Sequence, residues 1–298
     1  MYDVVIIGAG PAGLTAGIYA ARYNLNILII GEILGGYATE AFKICNFPTY
    51  KELSGMEFAK KMEEQVKALG IEVKMGIVNS IEKKKPGFVV KADSGIYEAK
   101  KIILACGTKK RKLGVKGEEK YEGRGISYCA TCDGPLFKNK VVGVVGGGNS
   151  ALTSALLLSK HAKKVYIIYR RDKFFRADPA WVDLVEKNKK IEAVFSSTIS
   201  ELHGNKFLEK IKLNSGKELK LDGLFVEIGS VPCVDFAKML KIKLDDAGYI
   251  SVDKKQKTSV AGVFAAGDVT NPPLKQIITA ASQGAVASQS VFEELHKE

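Results

Sequence analysis

Cysteine and histidine are scarce in this sequence: 298 residues hold five cysteines and three histidines. The cysteines stand at 45, 106, 129, 132 and 233, too scattered for the disulfide framework of a small secreted domain. A reducing, cytoplasmic compartment is therefore expected. His161, His203 and His296 form no pair, and only Cys129 and Cys132 are closely spaced, so no metal site is expected. A nucleophile–histidine–acid set is missing, and so are paired carboxylates at a spacing that would suit acid–base work. Uncharged runs of membrane-spanning length are few, and the most apolar of them at the start of the chain is the 18 residues Val4 to Ala21. Gly8, Gly10, Gly13, Gly17 and Pro11 interrupt that run, and Asp3 precedes it where a leader peptide would carry basic residues. It reads as strand, turn and helix, and no membrane association is expected. Acidic residues are outnumbered, 33 against 45 basic, for a net charge of +12. The basic clusters at Lys83–Lys85 and Lys109–Lys112 are short, and no nucleic-acid-binding motif accompanies them. A basic face suits an acidic protein partner instead.

What is present is glycine at chosen places. In "YDVVIIGAGPAGLTAGIYAARYNLNILIIGE" an apolar strand bends at Gly8, continues as an Ala-rich helix and returns as a strand. Gly8, Gly10 and Gly13 give G-x-G-x-x-G at the first strand–helix turn. The first glycine makes the turn, the second lets backbone approach a pyrophosphate, and the third lets helix pack on strand. The pattern recurs in "KVVGVVGGGNSALTSALLLSKHAKKVYIIYRR", where Gly146, Gly148 and Ala151 supply G-x-G-x-x-A. The length suffices for two domains. The expected fold class is α/β, with two Rossmann-like dinucleotide-binding domains.

The two units end differently. The first ends at Gly31-Glu32, where a carboxylate can bond a ribose hydroxyl, although a glycine holds the usual acidic place. The second ends in Tyr169-Arg170-Arg171, with Arg176 following, and arginines there suit a ribose 2′-phosphate. One cofactor without that phosphate and one with it point to FAD and NADPH. A third segment, "TSVAGVFAAGDVT", reads as a short strand ending at Gly267-Asp268, before a small-residue helix. Its aspartate suits a polyol or a phosphate-rich ligand.

Between the two glycine turns lies "ISYCATCDGPLF", with Cys129 and Cys132 in C-x-x-C spacing and Asp133 next. Zinc needs two further ligands that the chain does not offer nearby, and so short a loop makes a poor staple. A redox dithiol remains. It and the second glycine turn belong to one segment yet must both serve one flavin, which implies rotation on hinges in "KKRKLGVKG" and "SVPCVDFAK".

With "GAGPAGLTAGIYAAR", Gly35-Gly36, "NFP", "ACGT", "YCATCDG", "GGGNSA", "RRDKFFRA", "GVFAAGDV" and "KQIITA", the chain resembles the low-molecular-weight, bacterial-type thioredoxin reductases over nearly its whole length. The resemblance implies a discontinuous FAD domain, residues 1–112 and 239–298, with an NADPH domain, residues 113–238, inserted and carrying the dithiol. It implies flavin contacts from Gly8, Gly10, Pro11, Ala12, Gly13, Glu32, Gly36, Tyr37, Asn46, Val78, Gly107, Gly267, Asp268, Lys275, Gln276 and Ile277. NADPH would meet Gly146, Gly148, Asn149, Ser150, Arg170, Arg171 and Arg176. It implies that Cys132 faces the flavin, that Cys129 attacks a thioredoxin-like partner, and that Asp133 protonates the departing thiolate. A homodimer is implied as well. Departures from the pattern are Tyr169 for a histidine, one extra residue before Arg176 that would carry it out of reach, and Thr153-Ser154 for an acidic pair. Tyr37 replaces a glutamine, Cys106 a threonine and Cys233 an asparagine. Alternatives are another low-potential donor, oxygen or a small disulfide as acceptor, or a redox sensor without turnover.

Overall fold

The computed structural model describes residues 1–41 and 43–296, so Phe42 and the last two residues of the expected 239–298 segment lie outside it. The chain begins with β1 (Tyr2–Ile7), α1 (Pro11–Arg22), β2 (Ile27–Gly31), α2 (Gly55–Ala68), β3 (Glu72–Met75), β4 (Val78–Lys84), β5 (Gly87–Ala92) and β6 (Gly95–Leu104). There follow β7 (Thr108–Lys110), α3 (Glu118–Tyr121), β8 (Ile126–Ser127), α4 (Ala130–Asp133), β9 (Val141–Val145), α5 (Asn149–Ser159), β10 (Lys164–Ile168), α6 (Pro179–Glu186) and β11 (Ile191–Val194). Next come β12 (Ile199–His203), β13 (Lys210–Leu213), β14 (Glu218–Lys220), β15 (Gly223–Val226) and β16 (Ser230–Pro232), then α7 (Asp235–Met239), β17 (Val263–Ala265) and α8 (Ile277–Leu295).

Two compact units result, Met1–Lys109 with Pro232–Glu298, and Lys110–Val231. The sequence reading put the joins after residues 112 and 238. The second join differs because Val234, Phe236 and Ala237 pack in the core of the first unit, Ala237 with no exposure at all. That packing is tertiary and leaves no local mark in the chain.

The first unit is built on a seven-stranded sheet in the order β3-β2-β1-β6-β5-β4, with β17 also paired to β6. Strands β1, β2, β3, β6 and β17 run parallel, whereas β4 and β5 add an antiparallel edge. Val4 and Ile6 face one layer with Leu14, Ile103 and Val291; Val5 and Ile7 face the other with Leu28, Ile102 and Leu104. Both faces are covered, so β1 reads as a continuous apolar run instead of an alternation. Each such side chain contributes about 1.5–3 kcal/mol by leaving water. Helices α1 and α8 meet closely over the first layer, since a Cβ on Gly284 would stand 2.1 Å from the Ala12 carbonyl oxygen.

The second unit has a five-stranded parallel sheet, β11-β10-β9-β15-β8, and a three-stranded antiparallel sheet, β12-β13-β14. Ile126, Val145, Leu224 and Val226 of the larger sheet share a buried cluster with Ile199, Ile211, Leu213 and Leu219 of the smaller. Ligands of such open parallel sheets lie beyond the carboxyl ends of the strands. In the two units those ends lead into Gly8 and Gly31, and into Gly146, Tyr169 and Glu227. Among the described residues no helix is long and apolar enough to cross a membrane.

Candidate functional site

The glycines of the first turn answer to different constraints. Gly8 has φ +116°, and a Cβ there would stand 2.2 Å from the Ala105 carbonyl oxygen. A Cβ on Gly13 would stand 1.8 Å from the Gly8 carbonyl oxygen. The fold itself demands both. Gly10 is otherwise: its φ of −81° and ψ of −177° suit any residue, and its Cβ would meet nothing nearer than the Gly36 Cα at 3.9 Å. Neither strain nor internal packing requires glycine there. The second turn repeats the division. A Cβ on Gly146 would stand 2.1 Å from the Glu227 carbonyl oxygen, whereas Gly148, at φ −103°, has nothing within 4 Å. In both turns the middle glycine keeps space free outside the protein. No side chain caps α1 or α5, so their first N–H groups and the positive end of each helix dipole stay open to an anion. Both turns therefore fit a pyrophosphate.

Other elements of the first unit close round its turn. Gly35 N–H donates to the Ala9 carbonyl at 2.7 Å, and Gly36, at φ +55°, lies so near that its Cβ would be 3.0 Å from the Gly10 Cα. Exposed Tyr37 follows. A Cβ on Gly31 would stand 2.6 Å from Ala9, which explains why glycine holds the usual acidic place and the exposed carboxylate is Glu32. Gly267, at φ +81°, brings the Asp268 loop against Ala12 at the start of α1, where a Cβ would be 2.9 Å from the Ala12 Cβ. Half-buried Asp268 accepts no hydrogen bond among the described residues; burial raises its carboxyl pKa against the opposing Lys275 charge. An acceptor of this kind beside the turn fits the hydroxyls of a flavin nucleotide. Asn46 Nδ2 donates to Gln276 Oε1 at 3.0 Å, and Gln276 and Ile277 begin α8. Lys275 Nζ lies over the Tyr249 ring, 3.3 Å from its centroid. Gly107 has φ +63° and open space about it, while the Val78 side chain packs in the core.

In the second unit Cys129 and Cys132 form a disulfide, with Cα atoms 5.3 Å apart. Cys129 N–H donates to Ser127 Oγ at 3.1 Å, Cys132 N–H to Cys129 Sγ at 3.1 Å, and Asp133 N–H to the Cys129 carbonyl at 3.1 Å. Cys132 is exposed, while Cys129 and Asp133 are half-buried. The short helix α4 that they bound packs on α5, the helix of the second glycine turn. Dithiol and glycine turn thus belong to one compact unit. Asn149 is held by Asp178, whose backbone N–H donates to it at 2.7 Å, and Ser150 is exposed. Arg170, Arg171 and Arg176 are exposed. The extra residue does not separate the last two: Arg171 and Arg176 lie over the same Phe175 ring, 4.1 and 5.5 Å from its centroid. Among the described residues no cluster of three or more His, Cys, Asp or Glu side chains could hold a metal ion.

The profile of the pyridine nucleotide-disulphide oxidoreductases matches residues 2–284. The chain belongs to this family. Bacillus subtilis thioredoxin reductase is 40% identical over 298 residues, 98% of this chain and 94% of that protein. The structure of Lactococcus lactis thioredoxin reductase superposes with a TM-score of 0.95 at 36% identity, covering 100% of both chains. That of T. acidophilum thioredoxin reductase gives a TM-score of 0.93 at 37% identity, covering 99% of each chain.

Several departures noted in the sequence acquire a place in this family member. Tyr169 is buried and lies against the second turn, so close that a Cβ on Gly147 would be 2.5 Å from its ring. Ser154, at an expected acidic position, donates to Glu227 Oε1 at 3.0 Å, and Lys110 pairs with the same buried carboxylate at 3.3 Å. A carboxylate is thus present beside α5, supplied by the end of β15. The sequence reading also missed Glu118. Only 4% exposed, it accepts from the N–H groups of Leu113 and Gly114, each at 2.7 Å, and from the Tyr128 hydroxyl beside Cys129. Burial together with this carboxylate raises the Tyr128 pKa, so the hydroxyl stays a donor. No motif marks such a residue, because partners five, four and ten residues away form no recognisable spacing.

Proposed function

We propose that this protein is a flavoprotein thioredoxin reductase, carrying electrons from NADPH by way of FAD to Cys129–Cys132 and on to thioredoxin or a thioredoxin-like protein. The observation that supports it most is the combination of two uncapped glycine turns, each with an open middle glycine, and a redox disulfide packed on the helix of the second. When bound, the two cofactors supply the hydride and the two-electron relay, which none of the side chains can provide. The first unit would hold FAD, with the N-terminus of α1 toward the phosphates and Glu32 and Asp268 accepting from hydroxyls. The second would hold NADPH, with Arg170, Arg171 and Arg176 toward the 2′-phosphate.

At the dithiol, the reading assigns attack on the partner disulfide to Cys129 and resolution of the mixed disulfide to Cys132. Asp133 would deliver the proton to the departing thiolate, since exchange proceeds through an attacking thiolate and a leaving thiol. The net charge of +12 favours an acidic partner surface. A homodimer in the cytoplasm completes the reading.

Single serine variants test it. Cys132→Ser should accumulate a covalent complex with thioredoxin on a non-reducing gel, and Cys129→Ser should abolish thioredoxin turnover without trapping. A complex trapped by Cys129→Ser alone would reverse the two roles, and turnover surviving in both variants would overturn the dithiol mechanism.

A further inference from the structure

The loop from Arg171 to Asp178 follows β10 and is tied down at three places. Ser196 N–H donates to the Arg171 carbonyl at 2.9 Å. Phe174 stacks on Tyr169, with centroids 6.0 Å apart, and meets Phe195 edge-on at 4.9 Å. Asp178 exchanges two bonds with Asn149, its N–H donating at 2.7 Å and its carboxylate accepting at 2.9 Å. Asn149 is the first residue of α5, so this end of the loop is fixed to the second glycine turn.

Phe175 is left outside this packing and is 49% exposed. Its ring instead carries two cations, with the Cζ atoms of Arg171 and Arg176 at 4.1 and 5.5 Å from its centroid. Among the described residues neither guanidinium pairs with a carboxylate. Two like charges thus share one ring without a counter-ion of their own, and an incoming dianion would relieve their repulsion. A ring face attracts a guanidinium and suits its flat shape. Arginines already settled on a ring have less freedom to lose when a phosphate arrives. The residue that lengthens this segment beyond the expected pattern falls within the same loop.

We propose that Phe175 is a positioning residue for the second nucleotide. Its ring holds Arg171 and Arg176 ready for a ribose 2′-phosphate and so sets the preference for the phosphorylated form. This role rests on the NADPH reading and names a side chain on which that specificity turns. Phe175 itself touches no phosphate; it acts through the two arginines.

Equilibrium dialysis of NADP⁺ and NAD⁺ against the oxidised, flavin-loaded protein reads binding without turnover. Phe175→Leu keeps an apolar side chain but offers no ring face to a cation. It should bind NADP⁺ roughly five- to a hundredfold more weakly than the wild type, because two arginines must then be ordered on binding. NAD⁺ affinity should change by less than about twofold, and Phe175→Tyr should hold NADP⁺ to within about threefold of the wild type. Both variants should melt within about 2 °C of the wild type, as changes at exposed positions do. Equal NADP⁺ affinity in Phe175→Leu and the wild type would overturn the proposal. So would equal losses of NADP⁺ and NAD⁺, or a Phe175→Tyr protein as weak as Phe175→Leu. A wild type that binds NAD⁺ as tightly as NADP⁺ would overturn the NADPH reading, and the role of Phe175 with it.

Discussion

Replacing Gly10 by valine separates what the fold needs from what the ligand needs. The backbone at Gly10 is extended, and its nearest neighbour to a Cβ is 3.9 Å away. Its place as the helix N-cap makes the loss of glycine cost about 1 kcal/mol. That is a fall of roughly 2–4 °C in the melting temperature of a unit this size. The outward face, however, is where the turn would meet a pyrophosphate. A side chain there moves the phosphates away from the backbone N–H groups, and each lost charge-assisted hydrogen bond is worth about 1.5–3 kcal/mol. Losing two weakens binding by roughly a hundredfold to ten-thousandfold. Gly13→Ala is the contrasting variant. Its methyl would stand 1.8 Å from the Gly8 carbonyl oxygen, and forcing the helix off the strand costs about 1–3 kcal/mol or more. The assay is the ratio of flavin absorbance to protein absorbance after gel filtration, with circular-dichroism melting of each protein stripped of flavin. Gly10→Val should be colourless yet fold nearly as well as the stripped wild type, whereas Gly13→Ala should melt well below it. A Gly10→Val protein that keeps its flavin, or one that melts as early as Gly13→Ala, refutes the division of labour.

Arg171→Ala removes one guanidinium from beside Phe175 and should lower NADPH affinity roughly ten- to hundredfold, the worth of one charged hydrogen bond. Anaerobic titration, following bleaching of the flavin band, reads the change, and the effect on NADH should be much smaller. Burial holds Asp268 above the ordinary carboxylate value, so the folded chain binds that proton more tightly than the unfolded chain does. Its contribution to stability therefore falls as pH rises from about 4 through the folded value, and the ionised form is a burden at neutral pH. Asp268→Asn should flatten that fall in urea midpoints of the stripped protein while weakening flavin retention. An unchanged pH slope would show that Asp268 is not the group responsible.

The sequence by itself determined the two glycine turns, because their demands are local. A strand must reverse into a helix within a few residues, and only glycine accepts φ +116° at Gly8 or leaves the Gly8 oxygen room at Gly13. The apolar run of β1 was legible for a related reason, since a strand covered on both faces needs no alternation. The C-x-x-C pair also declared itself, its two sulfurs being brought within bonding reach by a single helical turn. Tertiary structure decided everything that depends on distant chain. It placed Val234, Phe236 and Ala237 in the core of the first unit, where sequence put the join later. It set Arg171 and Arg176 on one ring despite the added residue between them. Glu227 came to serve Ser154 through a contact spanning 73 residues. Cys106 met Cys233 across 127 residues. Hydrogen bonds and ring contacts of this kind depend on how packed elements bring separate segments together. Spacing along the chain carries no trace of them, whereas backbone sterics at a turn are written in the residues that make it.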